Sequence, residues 1–355
     1  MPLTPGEFQL RLLAWFERHG RKDLPWQRTP SPYHTWVSEI MLQQTQVATV
    51  IPYFERFIAR WPDVEALAMA PLDEVLALWA GLGYYARARH LHQAAQTIAN
   101  AGCFPDTVAA LCRLPGIGRS TAGAIISMGW NLPAPILDGN VKRVLARLHG
   151  IEGWPGRRAV EQILWRLSER YTPPQHCRDY TQAIMDFGAL WCTPRPPQCT
   201  RCPFREHCLA YLQQCVERLP TPKPTKRLPC RSVIFALFID TENRCLLQRR
   251  PPTGVWGGLW SLPEFADETA LQTWCAERSM TLDTSTRLCP QRHTFSHFHL
   301  DYTPLIVRVR LDAPDIHDAN DAYIWHTPFD LAQRALPAPV RRLVAALPQN
   351  VMLYG

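Results

Sequence analysis

Two carboxylates stand in settings that can do chemistry. Glu39 lies in Ser38-Glu-Ile-Met-Leu-Gln-Gln-Thr-Gln-Val47, where it and Gln43 fall at i and i+4 and make one polar strip on an otherwise apolar helix. Asp138 lies in Ile136-Leu-Asp-Gly-Asn-Val-Lys-Arg-Val144, just ahead of a helix whose apolar positions begin at Val141. Each has a plain structural explanation: a solvated glutamate on a helix face, and an aspartate capping a helix N-terminus. As a pair they have a chemical one. A carboxylic acid with a raised pKa protonates a leaving group while a second, ionised carboxylate stabilises a developing cation, which is how glycosidic bonds are cleaved. Next to Glu39, the run Gln43, Gln44, Thr45 and Gln46 offers amides and a hydroxyl of the kind that touch nucleic-acid bases.

The second constellation is sulfur. Four of the 12 cysteines fall in the pattern Cys192-x6-Cys199-x2-Cys202-x5-Cys208, in loops broken by Pro194, Pro196, Pro197 and Pro203, and the other eight are scattered. Four thiolates this close can converge on one metal centre, and both zinc and an iron–sulfur cluster accept four cysteines. Zinc sites usually show two tight Cys-x2-Cys pairs, and here there is one. The scattered cysteines read as buried packing residues.

These residues need a scaffold. Apolar stripes at helical spacing (Phe8, Leu12, Leu13, Phe16; Trp36, Val37, Ile40, Met41, Val47; Val141, Val144, Leu145, Leu148) predict successive helices from about residue 5 to 213. Leu114-Pro-Gly-Ile-Gly-Arg-Ser-Thr-Ala-Gly-Ala-Ile125 has apolar anchors on both sides of Gly116 and Gly118, as an ordinary helix–helix turn or a phosphate-gripping hairpin would. Prolines and basic residues over 219–229 predict an extended linker. Beyond it, Ser232–Ile239, Cys245–Gln248 and Tyr302–Arg310 read as strands. A chain of 355 residues suits two domains, here expected at 1–218 and 230–355. Its net charge of +7 fits a polyanionic partner as well as plain solubility. Arg87, Arg89, Arg113, Arg119, Lys142, Arg143 and Arg147, in or beside glycine turns and helix starts, are candidate phosphate contacts. No apolar run approaches the roughly 20 residues of a membrane span, and the segment from Met1 to Arg11 lacks a signal-peptide core, so a soluble cytoplasmic protein is expected.

The six–two–five cysteine spacing resembles the iron–sulfur loop of the endonuclease III superfamily of DNA glycosylases. With it, the Leu114–Ile125 segment matches a helix-hairpin-helix. Glu39, the hairpin at 114–125, Asp138 and the cysteine loop at 192–208 together resemble MutY-type adenine DNA glycosylases across residues 7 to 215. The resemblance implies an all-α catalytic domain with a [4Fe-4S] cluster on Cys192, Cys199, Cys202 and Cys208. Its implied partner is duplex DNA carrying adenine opposite 8-oxoguanine or guanine. Glu39 is then the general acid toward adenine, Asp138 stabilises the C1′ cation, and Asn140 orients the reacting groups. Gly116, Gly118 and Arg119 grip phosphate. Gln43 and Tyr84, in Gly81-Leu-Gly-Tyr-Tyr-Ala-Arg-Ala-Arg89, fill the gap near the opposing base of a flipped nucleotide. Trp26 and Gln182 line the adenine pocket. Ser120 stands where bifunctional relatives carry a nucleophilic lysine, so the resemblance implies a monofunctional enzyme that uses water.

Trp256-Gly-Gly-Leu-Trp-Ser-Leu-Pro-Glu-Phe265 resembles the approach to a Nudix box, with Gly258 and Glu264 in frame. Gln272 and Thr273 then replace arginine and the first helix glutamate, Ala276 replaces another glutamate, and Glu277 alone survives. That leaves too few carboxylates for a divalent metal, and predicts an α+β Nudix-like fold without hydrolase activity. In MutY-type proteins such a domain recognises the oxidised guanine; Phe295, Ser296 and His297 are the matching candidates. The alternatives are an endonuclease III-like lyase acting on oxidised pyrimidines, a Nudix pyrophosphatase with a helical accessory domain, and a non-catalytic DNA-binding or redox module.

Overall fold

A computed structural model of the chain describes residues 3–225, 227–311, 322–331 and 334–347. Two compact units form: Met1–Ala70 with Arg89–Thr225, and Pro71–Ala88 with Lys226–Gly355.

The first unit is helical, and its helices start where the local chemistry dictates. Helix Pro5–His19 opens with a capping box, in which Thr4 accepts from the Glu7 amide and the Glu7 side chain reaches back to Thr4. It buries Phe8, Leu12, Trp15 and Phe16, the stripe expected from periodicity with Trp15 in place of Leu13. Helix Pro32–Leu42 is capped by Ser31 Oγ and buries Trp36, Val37, Ile40 and Met41. Helix Gly139–Leu148 is capped by Asp138 and buries Val141, Val144, Leu145 and Leu148. The buried faces of helices Pro5–His19 and Gly139–Leu148 join Leu164, Phe187 and Phe204 in one apolar core, and Cys192, Cys202 and Cys208 pack on its edge. Each large side chain so buried contributes roughly 1.5–3 kcal/mol, which ties the cysteine loop to the stability of the helices.

The hairpin runs from the single turn Val108–Leu111 to helix Arg119–Ala124, which continues as a π-helical turn over Ile125–Gly129. That turn packs against helix Pro32–Leu42 and helix Cys177–Asp186. Helix Cys177–Asp186 is itself prolonged by a π-helical turn, Phe187–Trp191, which runs directly into the cysteine loop.

Among the described residues the second unit is built on one mixed sheet of eight strands: β1 (Cys230–Ile239), β2 (Cys245–Arg249), β3 (Trp260–Ser261), β4 (Glu264–Phe265), β5 (Met280–Arg287), β6 (Gln291–Thr294), β7 (His299–Leu311) and β8 (Tyr323–His326). The central order is β3-β2-β1-β7-β5. β1 runs parallel to β7, from Cys230 opposite His299 to Ile239 opposite Arg308, and the other pairings are antiparallel. From Val233 to Ile239 every residue of β1 is buried, because the sheet is covered on both faces. One cover includes helix Ala338–Ala345 and the other helix Glu268–Ala276. Pro71–Ala88 belongs to this unit through an Asp73–Arg249 ion pair at 2.7 Å and a Tyr85 hydroxyl bond to the Leu336 carbonyl at 3.5 Å. Among the described residues no helix is long and apolar enough to cross a membrane.

Candidate active site

Glu39 sits in the last turn of helix Pro32–Leu42 and keeps part of its side chain accessible. The dense protein around it, and then the nearby charge of Asp138, push its carboxyl up to about 8. Among the described residues no hydrogen bond reaches that carboxyl. Burial also raises Asp138, but there four influences pull back: the Val141 amide, Arg143, the Asn140 side chain and the Asn140 amide. Asp138 Oδ1 accepts from Val141 N at 2.7 Å, and Oδ2 accepts from Asn140 Nδ2 at 3.2 Å. Of two acids that feel each other, the one with compensating donors holds the negative charge and the one without holds the proton. Asp138 is thus the N-cap of helix Gly139–Leu148, and the same donors suit its carboxylate to carry negative charge.

Asp138 is held from two sides. Ser120 Oγ accepts the Leu137 amide at 2.9 Å, so the residue at the lysine position anchors the chain immediately before Asp138. Asn140 Oδ1 accepts from Arg143 Nη2 at 2.8 Å, while Arg143 also donates to the carbonyls of Gly188 at 2.6 Å and Cys192 at 2.8 Å. Two glycines make these approaches possible. A Cβ on Gly123 would lie 2.2 Å from the Pro135 carbonyl oxygen, and one on Gly188 would lie 2.6 Å from Asn140 Cβ. Neither was singled out by sequence reasoning. Gly123 lies within the hairpin motif, whereas nothing local marks Gly188.

Several expectations are corrected. Helix Pro32–Leu42 stops before Gln43, and Gln44 takes a left-handed backbone with φ 60°, so Glu39 and Gln43 do not share a helical strip. Gln43, Gln44 and Thr45 form the turn into helix Val47–Arg60 instead, because Gln46 already caps that helix. Arg143 and Arg147 are turned inward to unpaired loop carbonyls rather than outward to phosphate. Arg147, 3% exposed, donates to the carbonyls of Thr193, Pro194, Val216 and Leu219 and approaches Cys192 Sγ at 3.5 Å. Lys142 pairs with Glu161 at 2.6 Å, and buried Arg87 donates to the carbonyls of Leu82 and Gly83. Arg119 pairs with Glu169 and lies over the Trp165 ring at 3.9 Å. Gly116, with φ 79°, crosses close to His90, and Gly118 caps the following helix with open space beside it.

Trp26 and Gln182 do come together. Both line a cavity of about 560 Å³ that also touches Thr35, Met128 and Arg21, and Thr35 lies one turn before Glu39 on the same helix face. Trp26 is buried edge-on against Phe54, with ring centres 5.4 Å apart. Asp186, fully buried behind Gln182 and paired with Arg21, was not foreseen.

Cys192, Cys199, Cys202 and Cys208 all line one further cavity, together with Arg147 and Trp191. Among the described residues no three His, Cys, Asp or Glu side chains are arranged to hold a single metal ion. Burial is the chief influence on the two innermost thiols, Cys202 pushed up to about 12 and Cys208 to about 11.

In the second unit Tyr84 is half exposed, with a left-handed φ of 48° next to Gly83 at 71°. Phe295 N donates to the Phe298 carbonyl at 2.9 Å and closes the β6–β7 turn, which leaves Ser296 and His297 exposed at its tip. Phe295 stacks on Phe298 with centres 4.6 Å apart and meets Trp256 at 5.4 Å. Glu264, the in-frame Nudix glutamate, is neutralised by Arg250 at 2.9 Å and Arg231 at 3.0 Å.

A helical hairpin beside paired acids, joined to a sheet of this order, defines a base-excision repair protein. Residues 37–170 match the HhH-GPD superfamily of base excision DNA repair proteins, and residues 234–346 match the NUDIX domain. A thermostable thymine-DNA glycosylase superposes with a TM-score of 0.52 at 28% identity, covering 59% of this chain and 97% of its own. An endonuclease III bound non-covalently to DNA superposes with a TM-score of 0.51 at 21% identity, over 60% of this chain and 98% of its own, and so shares the fold. The adenine DNA glycosylase of Buchnera aphidicola from Acyrthosiphon pisum is 37% identical over 98% of this chain and 100% of its own. This chain belongs to the adenine DNA glycosylase family.

Proposed function

We propose that this protein hydrolyses the N-glycosidic bond of adenine mispaired with 8-oxoguanine, or with guanine, in duplex DNA, and that it leaves the strand intact. The observation that carries the reading is the asymmetry of the two acids. Glu39 is held neutral near pH 7, while Asp138 keeps donors on both oxygens. In this scheme Glu39 gives its proton to N7 of the flipped adenine, and the C1′–N9 bond breaks with its electron pair leaving on the base. Asp138 stabilises the C1′ cation, Asn140 orients Asp138, and the Glu39 carboxylate takes a proton from the water that adds to C1′. Ser120 has no amine with which to form a Schiff base, so it serves through its bond to Leu137.

The labour divides along the chain, although Pro71–Ala88, with Tyr84, belongs to the second compact unit rather than to the first. Residues 1–218 carry the chemistry, with Trp26 and Gln182 in the base pocket and Gly116, Gly118 and Arg119 at phosphate. Arg119 exchanges its Glu169 partner for DNA. Gln43, Gln44, Thr45 and Tyr84 meet the duplex around the extruded base, and 219–229 links this part to 230–355. There Phe295, Ser296 and His297 read the lesion. Cys192, Cys199, Cys202 and Cys208 would hold a [4Fe-4S] cluster. The four thiols line one cavity and supply the all-cysteine donor set that such a cluster takes. Held there, it would cross-link the loop that Arg143 and Arg147 tie to Asn140 and to the core. The protein acts as a monomer at the nucleoid.

An adenine:8-oxoguanine duplex should yield an abasic site that breaks only after alkali. Strand scission at neutral pH would refute the monofunctional reading, and excision retained by Glu39→Gln would remove Glu39 from the mechanism.

A further inference from the structure

The base pocket presents one hydrogen-bonding atom whose identity is set from behind. Gln182 is 6% exposed, and its side-chain amide meets Asp186 Oδ1 at 2.9 Å. Asp186 is fully buried at the end of the same helix, one turn further on. It also accepts from the Arg21 backbone amide at 2.7 Å, from Arg21 Nε at 2.9 Å and from Arg21 Nη2. A carboxylate so paired has only acceptors to offer. The Gln182 atom facing it must therefore be the donor, Nε2, and this pairing decides which way the amide is turned. Oε1 is left over. Among the described residues it has no partner, and Gln182 lines the cavity shared with Trp26 and Thr35.

We propose that Asp186 is a positioning residue that sets base specificity, by locking the Gln182 amide so that a carbonyl acceptor faces the base. This rests on reading the Trp26–Gln182 cavity as the base pocket. A purine with an exocyclic amine at C6 donates to that acceptor. A 6-oxopurine, hypoxanthine or guanine, opposes one acceptor with another, and a site built to bond one polar group rejects its counterpart strongly. Arg21 completes the device. Were Asp186 absent, its guanidinium would draw Oε1 inward, and Nε2 would then face the base.

The test is the ratio of single-turnover excision rates for adenine and hypoxanthine, each opposite 8-oxoguanine, measured with the full chain. Asp186→Ala, with folding checked by a cooperative melt, should lower the adenine:hypoxanthine ratio by at least about 10-fold, the size of one well-placed hydrogen bond. Gln182→Leu, which keeps the bulk and removes the acceptor, should lower it similarly with little loss of melting temperature. If Gln182→Leu lowers the ratio and folded Asp186→Ala does not, the positioning role falls and the pocket reading stands. If Gln182→Leu leaves the ratio unchanged, the pocket reading falls first.

Should Asp186→Ala not fold, Gln182→Glu decides the matter with Asp186 in place. The new carboxyl can face Asp186 only when protonated. Both the adenine preference and the melting temperature of that variant should fall as pH rises from 5 to 9. A preference and a melting temperature that follow the parent protein across that range would overturn the role of Asp186.

Discussion

The amide of Leu137 donates to Ser120 Oγ at 2.9 Å, and this one bond joins the second hairpin helix to the segment that ends in Asp138. The absence of a side chain at Gly123 lets the two backbones come near enough for it. The helix that follows the hairpin glycines thus also sets the height of the segment carrying Asp138. Ser120→Ala should cost about 1 kcal/mol of stability, the value of one part-buried hydrogen bond. It should slow single-turnover excision while leaving duplex affinity unchanged. An unaltered rate in a folded variant would mean that Asp138 does not depend on this anchor.

With Glu39 as the proposed general acid, the protonated form is the one that reacts, so the excision rate should fall as pH rises through about 8. The sign for stability follows from the same shift. A carboxyl raised in the folded state binds its proton more tightly there, so its contribution is intact below the ordinary value of 4.5 and declines as pH climbs toward about 8. Glu39→Gln removes that penalty. It should abolish excision yet raise stability at pH 7 by up to about 3 kcal/mol, with no gain near pH 4. Thermal melts at the two pH values check the stability, and a gain equal at both would sever it from ionisation.

Much of this site is written in local pattern. Asp138 precedes a helix with a clear apolar stripe, and the cysteines are close in sequence, so both could be found by spacing. The hairpin glycines stand between apolar anchors and are legible for the same reason. What could not be read comes from long-range pairing. Asp186 meets Arg21 across 165 positions of chain, and Arg143 meets Cys192 across 49. Basic residues near glycine turns looked like phosphate contacts, yet Arg143 and Arg147 answer to loop carbonyls that only the folded chain brings near. The strands showed as apolar runs, whereas the parallel pairing of β1 with β7 depends on everything between them.

Arg147 satisfies four backbone carbonyls of the loops at 193–194 and 216–219 and touches the sulfur of Cys192. Arg147→Ala would leave those carbonyls buried without donors, a loss of about 3–5 kcal/mol. The loop should then fail to retain the proposed cluster, and iron per purified chain should drop with the melting temperature. Arg147→Lys should recover only part of both, because a single ammonium cannot reproduce the planar fork. Full iron content in Arg147→Ala would show that the cysteines hold the loop unaided.

At the tip of the β6–β7 turn, Ser296 and His297 are exposed while Phe295 is wedged between Phe298 and Trp256. Exposed polar groups on an aromatic footing suit a contact that must be held still until a partner arrives. Ser296→Ala and His297→Ala should each leave excision opposite guanine near its parent rate and lower the preference for 8-oxoguanine, together by about 10-fold if one net hydrogen bond is lost. Trp256→Ala should act in the same direction without any contact to DNA, because it removes the ring that Phe295 leans on. The ratio of excision rates opposite the two guanines is the measurement. A ratio unmoved by all three variants would take the recognition of the lesion away from this turn.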